Sequence, residues 1–432
     1  MAVTASLILL LVFAVTAFLG LPLAISIVAA ALAAVSLITP PDMALFTSAQ
    51  KMMASLDSFT LLAVPFFILS GVIMNSGGIA IRLVRFAQLI AGRIPGSLAQ
   101  TNIAGNMLFG CISGSAIAAS TSIGGVMVPM QAKEGYDRDF AAAVNIASAP
   151  TGMLIPPTTA FIIYSLVAGG TSIAALFMAG AVAGILWGLC MMVMTVVMAR
   201  RRGYPVAAGV PLRDALKIVA EAIPSLLLIV IVIGGIVMGV FTAVEASGIA
   251  VVYTLLLAFV IHRTTAPRDL GFFLVETAQI TGAIMLLLAA SAALSFAMAF
   301  TGIPAAITAA ILGISENPIM VMLIINILLL VVGCFMDVGP AILIFTPILL
   351  PIAAKVGVDP VHFGVIMVFN LAIGTITPPV GTGLFVGAAV AKVRVERAIR
   401  ALGPFYLLLI GLLLLITYWP ALTLSLPQWL GI

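Results

Sequence analysis

Two stretches of this chain, residues 129–157 and 351–379, are copies of one pattern and align without a gap at a shift of 222 positions. Eight residues coincide, and most of them are glycine, proline or charged residues, the types that set the course of a backbone. They are Pro129, Ala132, Lys133, Gly135, Asp137, Gly152, Pro156 and Pro157, matched by Pro351, Ala354, Lys355, Gly357, Asp359, Gly374, Pro378 and Pro379. Each copy ends in Gly-x-x-x-Pro-Pro within an apolar run, so the sequence predicts an internal repeat with a broken helix in each copy.

The repeat lies in a chain that is too apolar for a soluble globular protein. Of its 432 residues, 63% are hydrophobic and 7% are charged, whereas soluble proteins carry roughly 25% charged residues. Apolar runs of at least about 18 residues recur, and each is long enough to cross a bilayer. Because backbone polar groups must be paired inside a bilayer, we predict an all-α polytopic membrane protein. The net charge of +4 is assigned to basic loops that orient the chain, and not to nucleic-acid binding.

The apolar segment 98–130 allows two interpretations: a single helix with small packing residues, or a re-entrant hairpin that turns at Ser113-Gly114-Ser115. Basic residues precede this segment and follow it. A hairpin that enters and leaves on one side keeps all of them in the cytoplasm, as the positive-inside rule favours, so the hairpin is preferred. The same reasoning predicts a second hairpin at 317–354 and broken helices at 138–168 and 361–391.

Charge also predicts how the two halves are arranged. Residues 1–203 form the first repeat, 204–222 a linker and 223–432 the second repeat, while residues 40–57 are a polar segment between spans. Each half then has about five crossings and one hairpin, and an odd number of crossings inverts the second copy relative to the first. This layout puts all but two of the lysines and arginines in the cytoplasm and both termini outside.

The breaks are the expected site of chemistry, because an interrupted backbone at membrane depth is tolerated only where it is buried in protein or lines a cavity. Freed carbonyls and side-chain oxygens suit a small hard cation such as sodium, and helix N-termini favour an anionic substrate group. The predicted first sodium site contains Ser113, Ser115, Asn145, Thr151 and Gly152, and the second contains Asp337, Gly339, Gly374, Thr375 and Thr377. The helix breaks are Pro156, Pro157, Pro378 and Pro379, and the substrate-binding candidates are Ser113, Gly114, Ser115, Thr346 and Asn370.

Several of these residues have a second interpretation. Asp337 matches Ser115 under the repeat shift, and its position suits both ion contact and capping of the helix that follows. The Ser and Thr residues also suit helix packing through intrahelical hydrogen bonds. Glu245 and Glu276 are interpreted as residues near the membrane interface. The sequence contains no ATP-binding loop, metalloprotease motif or hydrolase motif, which argues against an enzyme.

Six stretches together indicate a family. They are SLDSFTLLAVPFFILSGVIMNSGGI (55–79), SGSAIAASTSIGGVMVP (113–129), GYDRDFAAAV (135–144), LIPPTTAFIIY (154–164), FMDVGPAILIFTPILLP (335–351) and DPVHFGVIMVFNLAIGTITPPVG (359–381). On these residues, over essentially its whole length, the chain resembles the large membrane subunit of a TRAP (tripartite ATP-independent periplasmic) transporter. In some relatives an acidic residue follows the first Ser-Gly-Ser segment, whereas position 119 here is Ala.

The resemblance implies an elevator-type secondary transporter of the bacterial inner membrane, with the hairpins and broken helices in a mobile domain. It implies sodium as the coupling ion at the two hairpin–break junctions, with the substrate between them. It also implies import of an organic acid delivered by a periplasmic binding protein; the charge layout given above then puts both termini of the chain in the periplasm. Because this chain starts directly with the large-subunit pattern, a small membrane subunit of about four helices is expected as a separate chain.

Two alternatives to this function stay open at the level of sequence. The first is a binding-protein-independent sodium or proton symporter of related architecture. The second is an intramembrane enzyme, which is disfavoured because no nucleophile–base pair or metal-ligand set is visible. The sequence does not choose among C4-dicarboxylates, sugar acids, sialic acid and keto acids as the solute.

Overall fold

The computed structural model describes residues 2–76, 79–206 and 211–432, which form twenty α-helices and no β-strand. The first ten helices are α1 Ala2–Phe18, α2 Leu23–Val35, α3 Pro41–Leu56, α4 Ala63–Ser76, α5 Ile79–Ala91, α6 Ser97–Ser113, α7 Ala116–Lys133, α8 Arg138–Ser148, α9 Thr159–Val167 and α10 Ile173–Arg202. The remaining ten are α11 Leu212–Val237, α12 Ala243–Leu256, α13 Leu270–Thr301, α14 Ile303–Ile314, α15 Pro318–Phe335, α16 Val338–Lys355, α17 Pro360–Gly374, α18 Thr382–Ala391, α19 Val395–Tyr418 and α20 Ala421–Leu430.

Seven of the described helical stretches are long and apolar enough to cross a bilayer. They are Ile173–Arg202, Leu212–Val237, Ala243–Ile261, Pro267–Thr301, Pro318–Phe335, Val338–Lys355 and Val395–Tyr418. An eighth is the pair Pro41–Leu56 and Phe59–Asn75, which is bent by 64°. The shorter apolar helices α1 and α2 pack on each other, and α2 packs on α13. The prediction of an all-α, multi-span membrane protein is confirmed.

Each predicted hairpin is a pair of helices joined by a short turn. Helices α6 and α7 pack side by side and are separated by Gly114 and Ser115. Gly114 has a φ of 61°, a backbone conformation that glycine adopts without strain. Helices α15 and α16 are separated by Met336 and Asp337. Both turns therefore lie within the segments predicted as hairpins.

Both predicted broken helices are also present. The first consists of α8, a 3₁₀ turn over Ala149–Met153 and α9, and the second consists of α17 and α18 with residues 375–381 between them. Each Pro-Pro doublet lies between the two helical segments, and both doublets contain a cis peptide bond. The helices stop there because proline has no amide hydrogen and clashes with the preceding turn.

The two broken helices run in opposite directions. At one end, Tyr164 in α9 donates a hydrogen bond to the carbonyl of Pro360, the first residue of α17, at 2.7 Å. At the other end, Arg397, which follows α18 closely, forms an ion pair of 2.7 Å with Asp139 at the start of α8. Each broken helix therefore ends beside the start of the other, as an inverted repeat requires.

One buried core residue contacts the broken helices of both halves. Trp187 of α10 is completely buried, and its ring lies 4.7 Å from that of Phe369 in α17. Its indole N–H donates to the carbonyl of Ala147 in α8 at 2.9 Å. A buried tryptophan of this kind contributes a large contact area and satisfies its polar nitrogen. The first segments of both broken helices are thus packed against the same side chain.

Two segments are more helical than their composition suggested. Residues 40–57, predicted as a polar segment, contain α3, and α11 begins at Leu212, inside the predicted linker 204–222. The start of α11 places Arg213 and Lys217 one helical turn apart. The predicted polar segment and the predicted linker therefore each contain helix.

Candidate functional site

Both hairpin turns open into one cavity of about 520 Å³. Its walls come from α4, the α6–α7 turn, the first helix break, α13 and the α15–α16 turn. The predicted site residues that line it are Ser113, Gly114, Ser115, Pro157, Asp337 and Gly339. The structure therefore brings together the two turns that the sequence repeat relates to each other.

Glycine pairs hold the hairpins against the breaks. In the first half, a Cβ atom on Gly110 of α6 would lie 2.3 Å from the Cα of Gly152 in the break. In the second half, a Cβ atom on Gly374 would lie 2.4 Å from the Cα of Gly333 in α15. Only glycine permits such close approach of two backbones. The predicted site residues Gly152 and Gly374 thus hold equivalent positions, each where a hairpin touches a break.

The first turn and the first break place two helix N-termini at the cavity. Ser115 caps α7 by accepting a hydrogen bond from the Ala118 N–H at 3.3 Å. Thr158 caps α9 by accepting from the Ala160 N–H at 3.2 Å, and a Cβ on Gly114 would lie 3.6 Å from the Thr158 Cα. A helix N-terminus carries roughly half a positive elementary charge. This side of the cavity therefore favours an anion.

The second turn contributes a carboxylate and a third helix N-terminus. Asp337 occupies the N-cap position of α16, but within the described chain its side chain makes no capping hydrogen bond. The residue is exposed to the cavity, which Val338 and Gly339 of the same turn also line. Of the two interpretations of Asp337, side-chain capping is not observed, and an ionisable group inside a membrane protein is a candidate for function.

The second break folds back on itself behind this turn. The N–H groups of Gly383 and Leu384 both donate to the carbonyl of Thr375, at 2.9 and 3.2 Å. The N–H of Gly381 donates to the carbonyl of Cys334 in α15 at 3.1 Å. These bonds satisfy backbone groups that the interrupted helix leaves without partners. They also fasten the break to the hairpin helix that leads to Asp337.

The threonines at the breaks bond to their own helices. The hydroxyls of Thr151, Thr375 and Thr377 each donate to a carbonyl three or four residues earlier in the chain, at 2.7 Å. Such bonds are the packing arrangement anticipated for these side chains. A hydroxyl oxygen that donates its hydrogen keeps lone pairs for a cation, so this geometry is compatible with ion binding.

Asn145 lies away from the first turn. Its amide nitrogen is 3.0 Å from both the hydroxyl and the carbonyl oxygen of Ser120 in α7, and its oxygen accepts from Asn106 in α6 at 3.2 Å. It packs on Gly124 of α7. Along the axis of that helix, Gly124 is about 13 Å from Ser115. The structure uses Asn145 to join α6, α7 and α8 and does not bring it to the turn.

Thr346 and Asn370 join the hairpin to the broken helix in the second half, as Asn145 does in the first. The Thr346 hydroxyl is 3.2 Å from the sulfur of Met367 in α17, and the Asn370 amide donates to Asn326 in α15 at 2.6 Å. Among the described residues that line the cavity, neither substrate candidate is present. In both halves, side-chain contacts of this kind therefore connect the hairpin to the broken helix. The substrate-binding candidates that line the cavity are Ser113, Gly114 and Ser115.

Two polar residues of the cavity wall were not among the predicted site residues: Asn75, and Glu276, which was interpreted as a residue near the membrane interface. Asn75 lies in the last turn of α4 and accepts a hydrogen bond from Ser122 of α7 at 2.6 Å. Glu276 is a half-buried residue of α13. The signal that could have identified Glu276 was its charge inside an apolar helix. With Asp337 it gives the cavity two carboxylates, and the described lining contains no lysine, arginine or histidine.

Asn145→Ala is expected to lower the free energy of unfolding by about 1–3 kcal/mol without changing the sodium dependence of the remaining transport. The variant removes the buried hydrogen bonds of the Asn145 amide with Asn106 and with the Ser120 hydroxyl, which is the origin of the cost. The measurements are the thermal unfolding midpoint in detergent and the sodium concentration for half-maximal uptake. A sodium dependence weakened roughly tenfold at unchanged stability would return Asn145 to the sodium site.

Two hairpin turns and a helix break that meet at a cavity within an all-helical membrane fold are typical of a transporter. The sequence profile of the tripartite ATP-independent periplasmic transporter, DctM component, matches residues 10–422. The chain belongs to this family, and the resemblance seen in its sequence is confirmed.

Relatives match the chain over most of their length. It is 50% identical to "Uncharacterized protein YgiK" of Salmonella typhimurium, with 96% of this chain and 95% of that protein covered. It is 38% identical to the C4-dicarboxylate TRAP transporter large permease protein DctM of Pseudomonas aeruginosa, covering 88% of this chain and 89% of the relative. It is also 38% identical to the sialic acid TRAP transporter large permease protein SiaM of Vibrio cholerae, with 95% of this chain and 96% of that protein covered. The last two are transporter subunits, in agreement with the prediction that the chain is not an enzyme.

A solved structure shares the fold. The YdaH transporter of Alcanivorax borkumensis, described as having an unusual topology, superimposes with a TM-score of 0.63 at 15% sequence identity. The match covers 89% of this chain and 90% of that one. At this level of identity the likeness concerns the fold alone.

Proposed function

We propose that this chain forms the membrane pathway of a transporter that imports an organic acid together with sodium ions by an elevator mechanism. The observation that carries this proposal is the composition of the cavity wall, where Asp337 and Glu276 lie among the N-termini of α7, α9 and α16.

The charges of the cavity require a cation if an organic anion is to enter. Two unit charges 4 Å apart interact by about 4 kcal/mol at an effective dielectric constant of 20, so Asp337 and Glu276 repel a substrate carboxylate. A sodium ion beside Asp337 removes most of that repulsion, and the helix N-termini then attract the carboxylate. Ion and acid each improve the binding of the other, which is the thermodynamic basis of coupling.

We place sodium where each hairpin contacts its break. In the first half the oxygen atoms come from Ser113, Ser115, Thr151 and the backbone at Gly152; in the second half they come from Asp337, Gly339, Gly374, Thr375 and Thr377. Asp337 lines the cavity and the Gly333–Gly374 contact fastens its hairpin to the second break. Oxygen-rich breaks of this kind suit a hard cation. The substrate then lies between the two turns, against Ser113, Gly114 and Ser115.

The solute class and the partners follow from the relatives. The Pseudomonas and Vibrio permeases are named for C4-dicarboxylates and for sialic acid, and both names support a carboxylate-bearing solute here. The family is named as tripartite and periplasmic. We therefore propose that a periplasmic binding protein delivers the solute and that a separate small membrane subunit supports this chain. We place the assembly in the bacterial inner membrane, surrounded by lipid, with both termini of this chain in the periplasm.

In the elevator mechanism, the hairpins and broken helices slide as one body past α4 and α13. The hydrogen bond of 2.6 Å between Ser122 in α7 and Asn75 in α4 then joins the moving part to the stationary part. A contact of this kind must break and re-form during each transport cycle.

Cross-linking this contact is expected to stop transport. In a background in which Cys111, Cys190 and Cys334 are replaced by alanine, the pair Asn75→Cys and Ser122→Cys should form a disulfide, since the native side chains are in hydrogen-bond contact. Uptake should fall to background on oxidation and return on reduction, while each single cysteine variant stays active under both conditions. Unchanged uptake by fully cross-linked protein would contradict the sliding motion.

Reconstitution tests the proposed function as a whole. The chain, its small subunit and its binding protein would be placed in proteoliposomes and offered a panel of radiolabelled organic acids with an inward sodium gradient. We expect uptake of at least one acid and a requirement for all three components. Full-rate uptake by this chain alone would favour a binding-protein-independent symporter, and chemical conversion of the solute without a gradient would favour an enzyme.

A further inference from the structure

A second polar cleft lies between α5, the start of α11 and the end of the helical stretch that contains α12. Its volume is about 620 Å³, and its polar lining consists of Arg82, Arg85, Lys217, Glu221 and His262. Among described residues, this cleft and the transport cavity have none in common. The proposed transport function therefore does not account for it.

The cleft carries a net positive charge. Three cationic side chains accompany one carboxylate, that of Glu221. Burial and the nearby Arg82 lower the pKa of His262, so its imidazole is neutral at pH 7 and leaves this balance unchanged. Arg85 and Glu221 approach to 3.7 Å, which is an ion pair but too long for a hydrogen bond. The donor groups of Arg85 can therefore bind another acceptor.

An apolar stripe continues from the cleft along α11. Ile223, Leu227 and Val230 are 52%, 42% and 64% exposed, and their spacing of four and three residues puts them on one side of the helix. Pro224, which lines the cleft, is next to Ile223 in the chain. On the other wall, Ile261 is 46% exposed. A surface suited to hydrocarbon therefore borders the cationic cleft.

The change from charged to apolar residues along α11 locates the cleft at the boundary of the bilayer. Lys217 and Glu221 precede the apolar stripe directly, and the basic residues are on the side assigned to the cytoplasm. Basic pockets between membrane helices on this side are suited to phosphate headgroups.

We propose that the cleft binds the headgroup phosphate of an anionic phospholipid, whose acyl chains lie along the apolar stripe of α11. Arg82, Arg85 and Lys217 would hold the phosphate oxygens. A phospholipid matches both features, because its phosphate pairs with the cations and its hydrocarbon covers the stripe. A free phosphate ion matches the first feature alone.

The test compares lipid retention by the detergent-purified full chain in native mass spectrometry, with phosphatidylglycerol, phosphatidylcholine or inorganic phosphate added. We expect selective retention of one phosphatidylglycerol. The double variant Arg85→Gln/Lys217→Gln should weaken its binding about 30-fold, which corresponds to ~2 kcal/mol for two interfacial cations. The matched control, Arg201→Gln/Arg213→Gln, removes the same charge from exposed positions outside the cleft and should bind phosphatidylglycerol normally.

Three results would overturn the proposal. They are equal retention of phosphatidylcholine, an equal loss of binding in the control variant, and displacement of phosphatidylglycerol by millimolar inorganic phosphate, which would indicate a free-anion site. If the double variant does not remain folded, Lys217→Gln alone, at an exposed position, should still lose several-fold in phosphatidylglycerol binding. Unchanged binding in that variant would count equally against the lipid site.

Discussion

Asp337→Asn is expected to abolish sodium-dependent uptake while the protein remains folded. The Asp337 side chain lines the cavity and, within the described chain, makes no capping hydrogen bond, so an isosteric amide removes a charge without removing a structural contact. Loss of the charge is expected to weaken sodium binding by about 1.5–3 kcal/mol, or roughly 10- to 150-fold. Without an ion at this position, binding of the acid no longer depends on sodium, so the sodium gradient no longer drives uptake.

The measurements for Asp337→Asn are the initial rate of uptake across a range of sodium concentrations and the thermal unfolding midpoint. The control is Glu316→Gln, which makes the same change of charge on the exposed loop before α15 and should transport normally. Wild-type sodium dependence in Asp337→Asn would remove this residue from the sodium site. Equal loss in both variants would point to overall charge and not to the site.

Gly110→Ala is expected to prevent assembly of the first hairpin with the first break. The added Cβ would lie 2.3 Å from the Cα and 2.8 Å from the N of Gly152, and backbone atoms cannot rotate away as a side chain can. Separating α6 from the break should cost at least about 1–3 kcal/mol of stability, the usual range for overpacking. Gly374→Ala should have the same effect in the second half, because its Cβ would lie 2.4 Å from the Cα of Gly333.

A matched control for Gly110→Ala is present in the same hairpin. A Cβ added to Gly125 in α7 would have no described atom within 4 Å, so Gly125→Ala should be neutral or should stabilise by up to about 1 kcal/mol through helix propensity. Both variants would be compared by the yield of monodisperse protein and by the unfolding midpoint. Equal stability of the two alanine variants would show that the close glycine contact does not hold the hairpin in place.

The repeat made the backbone of the site predictable. Pro156-Pro157 and Pro378-Pro379 end a helix whatever surrounds them, and α9 and α18 begin shortly after them, as the sequence indicated. Charges on either side of 98–130 identified the first hairpin, and its turn falls at Gly114. These features depend on local sequence and on the bilayer, so they could be read without knowledge of tertiary contacts.

Which groups the polar side chains contact was harder to predict. A polar residue in an apolar helix suits both an ion site and a packing contact. Asn145 and Asn370 were assigned to sites, and the structure gives them hydrogen-bond partners on neighbouring helices, Asn106 and Asn326. The role of such a side chain depends on its hydrogen-bond partner on another helix. The periodicity of one helix does not identify that partner.

The cavity wall outside the repeat was also not predicted. Asn75 and Glu276 belong to α4 and α13, which lie outside the two copies of the repeated pattern. They reach the cavity only because these helices pack beside the hairpin turns. A repeat relates one half of the chain to the other and contains no information about the helices outside the repeated pattern.

The two turns are chemically unequal although their backbones are related. Ser115 stands where the second half has Asp337. The charge at the turns therefore comes from the second half. At the proposed second sodium site, ion binding should accordingly depend on electrostatic attraction more strongly than at the proposed first site.

The most direct test of sodium coupling is the initial rate of organic-acid uptake by the reconstituted three-component assembly. Identical proteoliposomes would receive an inward sodium gradient, an inward potassium gradient or an inward proton gradient. Sodium coupling predicts rapid uptake with the sodium gradient alone, saturation with rising sodium concentration, and loss of uptake when a sodium ionophore dissipates the gradient. Equal uptake without sodium, driven by the proton gradient, would contradict it.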